Sequence, residues 1–209
     1  GIYVTSMLNL TASNNIIDSI MYTNTSGTTA AVVNGIYGIT VTNINILNNR
    51  ISNLFVRGTT TATTSAVRGI YTSASASTVQ NIANNDIFNL GIDQSVTTGG
   101  GLVNGIHLLP GATTPLNIEN NRISNLSNNC ATGTVNGMLF SQGTMNVRNN
   151  FISNLTSPNS TLSNGLVGFN ATAGGPVFFD YNTINIGASA PITSSSSSFG
   201  ASGIFIGSV

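Results

Sequence analysis

Apolar and polar residues alternate along this chain in short runs such as Ile44-Asn45-Ile46, Leu116-Asn117-Ile118 and Met145-Asn146-Val147. Alternation sends successive side chains to opposite faces, so each run predicts a short strand with one buried and one exposed side. No stretch combines a helical period with a cap, and the Gly and β-branched content weighs against helix. Each run leads into a recurring phrase: an Asn pair, a variable residue, Ile, a further residue, then usually Asn-Leu. It stands at Asn48-Asn49-Arg50-Ile51-Ser52-Asn53-Leu54, Asn84-Asn85-Asp86-Ile87-Phe88-Asn89-Leu90 and Asn120-Asn121-Arg122-Ile123-Ser124-Asn125-Leu126. Asn149-Asn150-Phe151-Ile152-Ser153-Asn154-Leu155 is a fourth copy, and looser ones begin at Asn14 and Tyr181. A Gly followed by an apolar residue marks the other end of each unit, at Gly1, Gly35, Gly69, Gly105, Gly137, Gly165 and Gly203.

Recurrence at a period of roughly 30–36 residues is the signature of a solenoid. Each unit holds about three short strands, one after the Gly, one before the Asn pair and one at Ile-x-Asn-Leu. None can bury its apolar side alone, so the units must stack, about 4.8 Å apart, as a parallel β-helix. The expected fold is therefore all-β: a right-handed parallel β-helix solenoid of about six coils, forming a single domain over residues 1–209. Its coils start near residues 1, 35, 69, 105, 137 and 165, with a further coil beginning at 203. Stacking predicts interior columns of like residues, one of Ile17, Ile51, Ile87, Ile123, Ile152 and Ile184, another of Ala12, Ile46, Ile82, Ile118, Val147 and Phe179. Two places before each anchoring Ile stands Asn15, Asn49, Asn85, Asn121, Asn150 or Asn182, without a miss. An amide in a turn can donate and accept along the stack and tolerate left-handed backbone angles, so these six are expected to form a structural Asn ladder.

Charge changes this picture through the register. Charged residues are 5% of the chain and cancel to a formal zero, which leaves no basic footprint for nucleic acid and no patch for anionic lipid. Aligned on the anchoring Ile, Arg50, Asp86 and Arg122 fall in one column, Glu119, Arg148 and Asp180 in a second, and Arg57 and Asp93 in a third. Eight of the ten charges thus alternate in sign up the stack, which favours pairing of neighbouring strands. Asp18 and Arg68 are left without a partner. The lone Cys130 excludes an internal disulfide framework, and no apolar run is long enough to span a membrane. Nor is there a signal peptide or a starting Met, so the chain reads as a mature or excised piece.

At these residues the chain resembles the right-handed parallel β-helix superfamily that includes pectate lyases and phage tailspikes, where Asn ladders occupy one tight turn. It is similar, too, to Asn/Thr-rich β-helical repeat regions in secreted and surface proteins of the Bacteroidota. The resemblance implies an extracellular or cell-surface location and offers polysaccharide cleavage as one activity. The acids argue against cleavage, because Asp18, Asp86, Asp93, Glu119 and Asp180 are spread over different coils and mostly face an Arg. Glycoside hydrolysis needs two carboxyls about 5–10 Å apart, and only Asp86 and Glu119 could approach that. His107 follows the Gly105-Ile106 anchor, where other coils carry Tyr37, Tyr71 or Leu139, so it is expected as an outward strand residue rather than a general base. No second His exists to share a metal, and Cys130 has no motif that would make it a nucleophile. Thr40-Val41-Thr42 suggests a flat Thr array for ice, but other coils do not repeat it, and the Thr-rich stretch 59–64 falls in a variable loop. Asp18-Ser19-Ile20 resembles the short O-glycosylation motif of Bacteroidota, which makes Ser19 a candidate for modification.

The expectation is a structural repeat segment, a stalk, adhesin or filament-forming subunit, without catalysis, cofactor or metal. The alternative is a carbohydrate-binding or polysaccharide-cleaving β-helix. Expected partners are further β-helix coils of the same protein, end-to-end copies of itself, and surface glycans, with no nucleic acid and no membrane insertion.

Overall fold

A computed structural model describes residues 1–24, 30–58, 65–73, 80–94, 100–110, 115–172, 175–187 and 200–207. The Thr-rich stretch 59–64 and the variable stretches 97–99 and 194–198 lie outside the described residues. The chain winds as a parallel β-solenoid with three strands per coil, which collect into three sheets of seven, six and six strands. The first sheet stacks Ile2–Thr5, Val32–Ile39, Ser65–Ser73, Gly101–Leu109, Thr134–Phe140, Leu166–Ala171 and Ala201–Ile206. The second stacks Asn9–Ser13, Asn43–Leu47, Gln80–Ala83, Pro115–Glu119, Thr144–Arg148 and Val177–Asp180. The third stacks Ile16–Asn24, Arg50–Gly58, Asp86–Gln94, Arg122–Asn128, Phe151–Thr156 and Thr183–Asn185. Every strand pair is parallel, as the short alternating runs and the repeat require.

Both expected apolar columns lie in register. Ile17, Ile51, Ile87, Ile123, Ile152 and Ile184 pair in succession, as do Ala12, Ile46, Ile82, Ile118, Val147 and Phe179. Their central members are fully buried in one continuous core with Ile36, Ile70, Ile106, Met138 and Phe169 from the first sheet.

The Asn ladder occupies the turn between the second and third sheets. Each of the four inner members, Asn49, Asn85, Asn121 and Asn150, bridges three coils. Asn85 Nδ2 donates to the Asn121 amide oxygen at 2.9 Å, to the Ile46 carbonyl of the preceding coil at 2.9 Å, and to its own Ala83 carbonyl at 3.1 Å. Its backbone N–H donates to the same Asn121 oxygen at 3.1 Å. The pattern repeats from Asn15 through Asn49, Asn121 and Asn150 to Asn182. The left-handed backbone, however, belongs to the residue before each ladder member. Asn14, Asn48, Asn84, Asn120, Asn149 and Tyr181 have φ between 54° and 58°, and the ladder residues themselves do not. One Asn bends the chain and the next fills the bend. Tyr181 does the bending in the last of these turns without the local hydrogen bond that suits Asn to it.

The Gly column needs one correction. Met138 pairs with Phe169, and Phe169 with Ile204, so the Gly in register with Gly137 and Gly203 is Gly168, not Gly165. Asn164-Gly165 imitates the Asn-Gly of Asn104-Gly105 and Asn136-Gly137, but Gly165 sits outside the strand and against Ser160. The column is glycine for lack of room: a Cβ on Gly105 would lie 2.6 Å from the Gly137 carbonyl oxygen and 2.6 Å from Cγ2 of Ile123. The inward corner of the first sheet is thus filled by the Ile column of the third.

Asn85→Ala removes the acceptor of two Asn49 donors and strands the Ile46 carbonyl. The expected loss is at least about 3 kcal/mol, since stranded buried groups cost ~1–3 kcal/mol each. Asn85→Asp is no rescue, because a carboxylate cannot donate to the two carbonyls. Asn81→Ala, on the outer face of the second sheet, should cost within about 1 kcal/mol. Denaturant midpoints of the three variants measure the contrast, and equal losses at the two Asn positions would refute it.

Candidate functional site

The sequence singled out charges, and the register places them where expected in columns: Arg50, Asp86 and Arg122; Glu119, Arg148 and Asp180; Arg57 and Asp93. The side chains do not close these columns into ladders. Among the described residues a single ion pair forms, Arg148 Nε to Asp180 at 3.5 Å, with both side chains about half exposed. Arg50 instead lies over the Phe88 ring, 4.9 Å from its centroid, and Arg57 over Phe55 at 5.1 Å. Solvated ion pairs give little net energy, and an aromatic face within reach competes on equal terms. One Asp86 carboxylate oxygen is buried without a hydrogen bond, at the position between Arg50 and Arg122 in their column. Among the described residues no three of His, Cys, Asp and Glu gather as a metal site would require.

Asp18, left over in the sequence, accepts from Ser52 Oγ at 2.7 Å and Asn53 Nδ2 at 2.6 Å. These hydrogen bonds hold its carboxyl below the usual range. Ser19 is exposed in a left-handed conformation, φ 59°, in line with the Asn53, Asn89, Asn125 and Asn154 corner. Cys130 is fully buried and its thiol is pushed up to about 11 by that burial, which leaves little thiolate near neutral pH.

The residues that do come together lie on the outer side of the first sheet, flanking the Gly corner. One column runs Tyr3, Tyr37, Tyr71, His107, Leu139 and Asn170. The other runs Asn34, Arg68, Asn104 and Asn136. Three places apart in sequence, the columns nonetheless touch across the bend. The Arg68 guanidinium lies 4.7 Å from the Tyr71 centroid, and Asn170 Nδ2 donates to the Asn136 oxygen at 2.9 Å. Asn136 in turn donates to Asn104 at 2.9 Å. The rings of Tyr3, Tyr37 and Tyr71 stack at 5.0 and 5.1 Å, and His107 closes the row edge-on to Tyr71 at 5.0 Å.

This strip is deep at one end and open at the other. Asn104 is 0% exposed and His107 8%, while Tyr3 is 71% exposed. Burial, reinforced by the Arg68 charge, pushes the His107 imidazole down to about 4, so it is neutral at physiological pH. Burial also lowers the Arg68 guanidinium and raises the Tyr71 phenol. Four buried polar atoms on the strip have no partner: Arg68 Nε, Asn104 Nδ2, His107 Nδ1 and Asn170 Oδ1. The sequence carried a signal for one column, since alignment on the Gly lines up Tyr37, Tyr71 and His107. It carried none for the meeting of the two columns, which depends on how sharply the sheet bends.

No family model matches the chain, nor does any curated protein or solved structure.

His107 gives the strip a measurable pH signature. Between pH about 6.5 and about 4 the unfolded chain takes up a proton that the folded chain refuses, so stability falls as pH is lowered through that window. The loss is complete below about 4 and is on the order of 3 kcal/mol. His107→Leu, which copies Leu139 of the next coil, should remove this slope and leave the carboxylate losses at lower pH. Denaturation midpoints of both proteins across the window report it; parallel curves would contradict the assignment.

Proposed function

We propose that the chain is a structural repeat segment of a secreted or cell-surface protein, a stalk or adhesin shaft rather than a catalyst. The observation that carries this reading is the buried amide ladder, unbroken from Asn15 to Asn182, alongside unbroken apolar columns. Such columns make a rod whose stiffness accrues coil by coil, because each coil contacts only its neighbours. The surface suits an exposed shaft: Asn, Thr, Ser and Gly supply its polarity, and its few charges are spread up columns of alternating sign rather than grouped. Membership of a Bacteroidota-type surface protein, with further β-helix coils or end-to-end copies of itself as neighbours, belongs to this proposal and follows from the sequence resemblance. So does modification at the exposed Ser19.

Limited proteolysis of the native protein tests the shaft. The strands should survive as one protected block, with cuts confined to the segments joining the third strand of one coil to the first of the next. Incubation with cell-wall and capsular polysaccharides should release no new reducing or unsaturated ends. Cleavage activity abolished by Glu119→Gln or His107→Leu would replace the structural reading with an enzymatic one.

A further inference from the structure

Asn-Gly occurs four times in the chain, at Asn34-Gly35, Asn104-Gly105, Asn136-Gly137 and Asn164-Gly165. This dipeptide is chemically labile, because the nitrogen of a residue without Cβ can approach the preceding side-chain amide unhindered. The fold puts the four copies in two different situations. The first three lie inside the strands Val32–Ile39, Gly101–Leu109 and Thr134–Phe140, each paired on both sides. Asn104 and Asn136 are almost wholly buried, and Asn136 donates to Asn104 while accepting from Asn170, both at 2.9 Å. Asn34 is half-buried, with its side-chain oxygen 3.5 Å from the Arg68 guanidinium. To close a ring, any of these three must leave the extended backbone, which opens strand pairing on two sides.

Asn164 has no such restraint. It is the third residue of the turn 162–165, and the closing contact of that turn, Gly165 N–H to the Leu162 carbonyl, is a long 3.3 Å. Among the described residues nothing hydrogen-bonds its side chain, and it is half-buried, so water reaches it. Glycine follows it for a separate reason: a Cβ on Gly165 would lie 2.5 Å from Ser160 Oγ. The Asn-Gly pair free of the strands is thus the one whose Gly stands outside the corner column.

We propose that Asn164 is a site of spontaneous modification, converting to aspartate and isoaspartate while the three strand-bound pairs stay intact. The Gly165 nitrogen gives up its proton and bonds to Cγ of Asn164. The Cγ–Nδ2 bond breaks, and ammonia leaves. The cyclic imide then takes up one water. Opening at one carbonyl restores the backbone with an Asp side chain, and opening at the other routes the backbone through the former side chain, one atom longer. Both products carry a carboxylate, so a chain of formal charge zero gains a negative charge at the entry to the strand Leu166–Ala171. In the isoaspartate form the extra atom falls next to Gly165, whose carbonyl accepts from Val135 N–H at 2.8 Å. The change therefore acts on one junction between coils and on no member of the Asn ladder.

The chain has five Arg and no Lys, so cleavage after Arg puts the four pairs in four fragments, 1–50, 69–122, 123–148 and 149–209. Intact protein is incubated at neutral and mildly alkaline pH, then unfolded and cleaved, and the modified residue is located by mass and isoaspartate content. Asn164 should convert about tenfold or more ahead of Asn34, Asn104 and Asn136, which must first open a paired strand. Its rate should rise with pH, as loss of the nitrogen proton requires. In chain held unfolded by guanidinium the four pairs should convert at similar rates. Asn164→Gln, whose ring closure is larger and slow, should abolish the early acidic form of the intact protein. An unconverted Asn164, four pairs converting together in the intact protein, or an acidic form that survives Asn164→Gln overturns the site. A lead of Asn164 that persists undiminished in the unfolded chain overturns selection by the fold. Proteolysis of the shaft does not depend on this chemistry, so the two proposals fail separately.

Discussion

An amide side chain folded into a dry turn must find partners for its oxygen and its nitrogen, and at the corner between the second and third sheets only the neighbouring coils can provide them. Asn49, Asn85, Asn121 and Asn150 are all buried to within 2% exposure, so water cannot substitute. Each therefore locks to the coil on either side, and a slip of one residue would leave several amide groups unmatched at once. The rest of the structure inherits that lock. The Ile two places on must stack on Ile, and the facing corner of the first sheet must be Gly, because Cγ2 of that Ile already occupies the space of its Cβ. Apolar burial supplies most of the driving force and already penalises a slip of one residue, which would turn the apolar faces outward, but a slip of two keeps them inward. The ladder makes one register the only satisfied one.

The amide rows outside the core run the other way. In the buried ladder Asn15 donates to Asn49 and so on toward higher numbers. On the outer face of the second sheet Asn146 donates to Asn117, Asn117 to Asn81 and Asn81 to Asn45, toward lower numbers. Asn136 to Asn104 and Asn154 to Asn125 follow the outer direction. Aligned side-chain dipoles sum along a row as peptide dipoles do along a helix, so opposed rows offset one another's field. A nearly uncharged rod can in this way carry many parallel amides without a large axial dipole.

What the sequence made legible was whatever recurs as the same residue. The Ile and Asn columns and the three-strand coil could be read from identity alone, because stacking places like on like. Gly165 shows the limit: its Asn-Gly context matched two other anchors, and only strand pairing assigns the corner to Gly168. The division of labour within each Asn pair was equally hidden, since two adjacent identical residues give no hint of which one takes positive φ. For the charges, register was legible and direction was not. Long Arg side chains choose among a facing carboxylate, an aromatic face and water by margins of a few tenths of a kcal/mol, so Arg50 and Arg57 turn to Phe rings while Arg148 pairs.

The same logic separates inner columns from outer ones. The columns that lock the register repeat one residue: Ile51, Ile87, Ile123, Ile152, or Asn49, Asn85, Asn121, Asn150. The outer column of the first sheet does not. It passes from Tyr71 to His107 to Leu139 to Asn170, and beside it Arg68 interrupts a row of Asn. Nothing in the stacking of the coils calls for that change of chemistry, and it brings costs: a half-buried guanidinium, a neutral imidazole and unmatched amide atoms. The interior column of Ala12, Ile46, Ile82, Ile118, Val147 and Phe179 changes only in apolar shape, because a polar member there would be buried without partners. The outer column is free of that constraint, so its chemistry changes coil by coil and the cost appears as unmatched atoms.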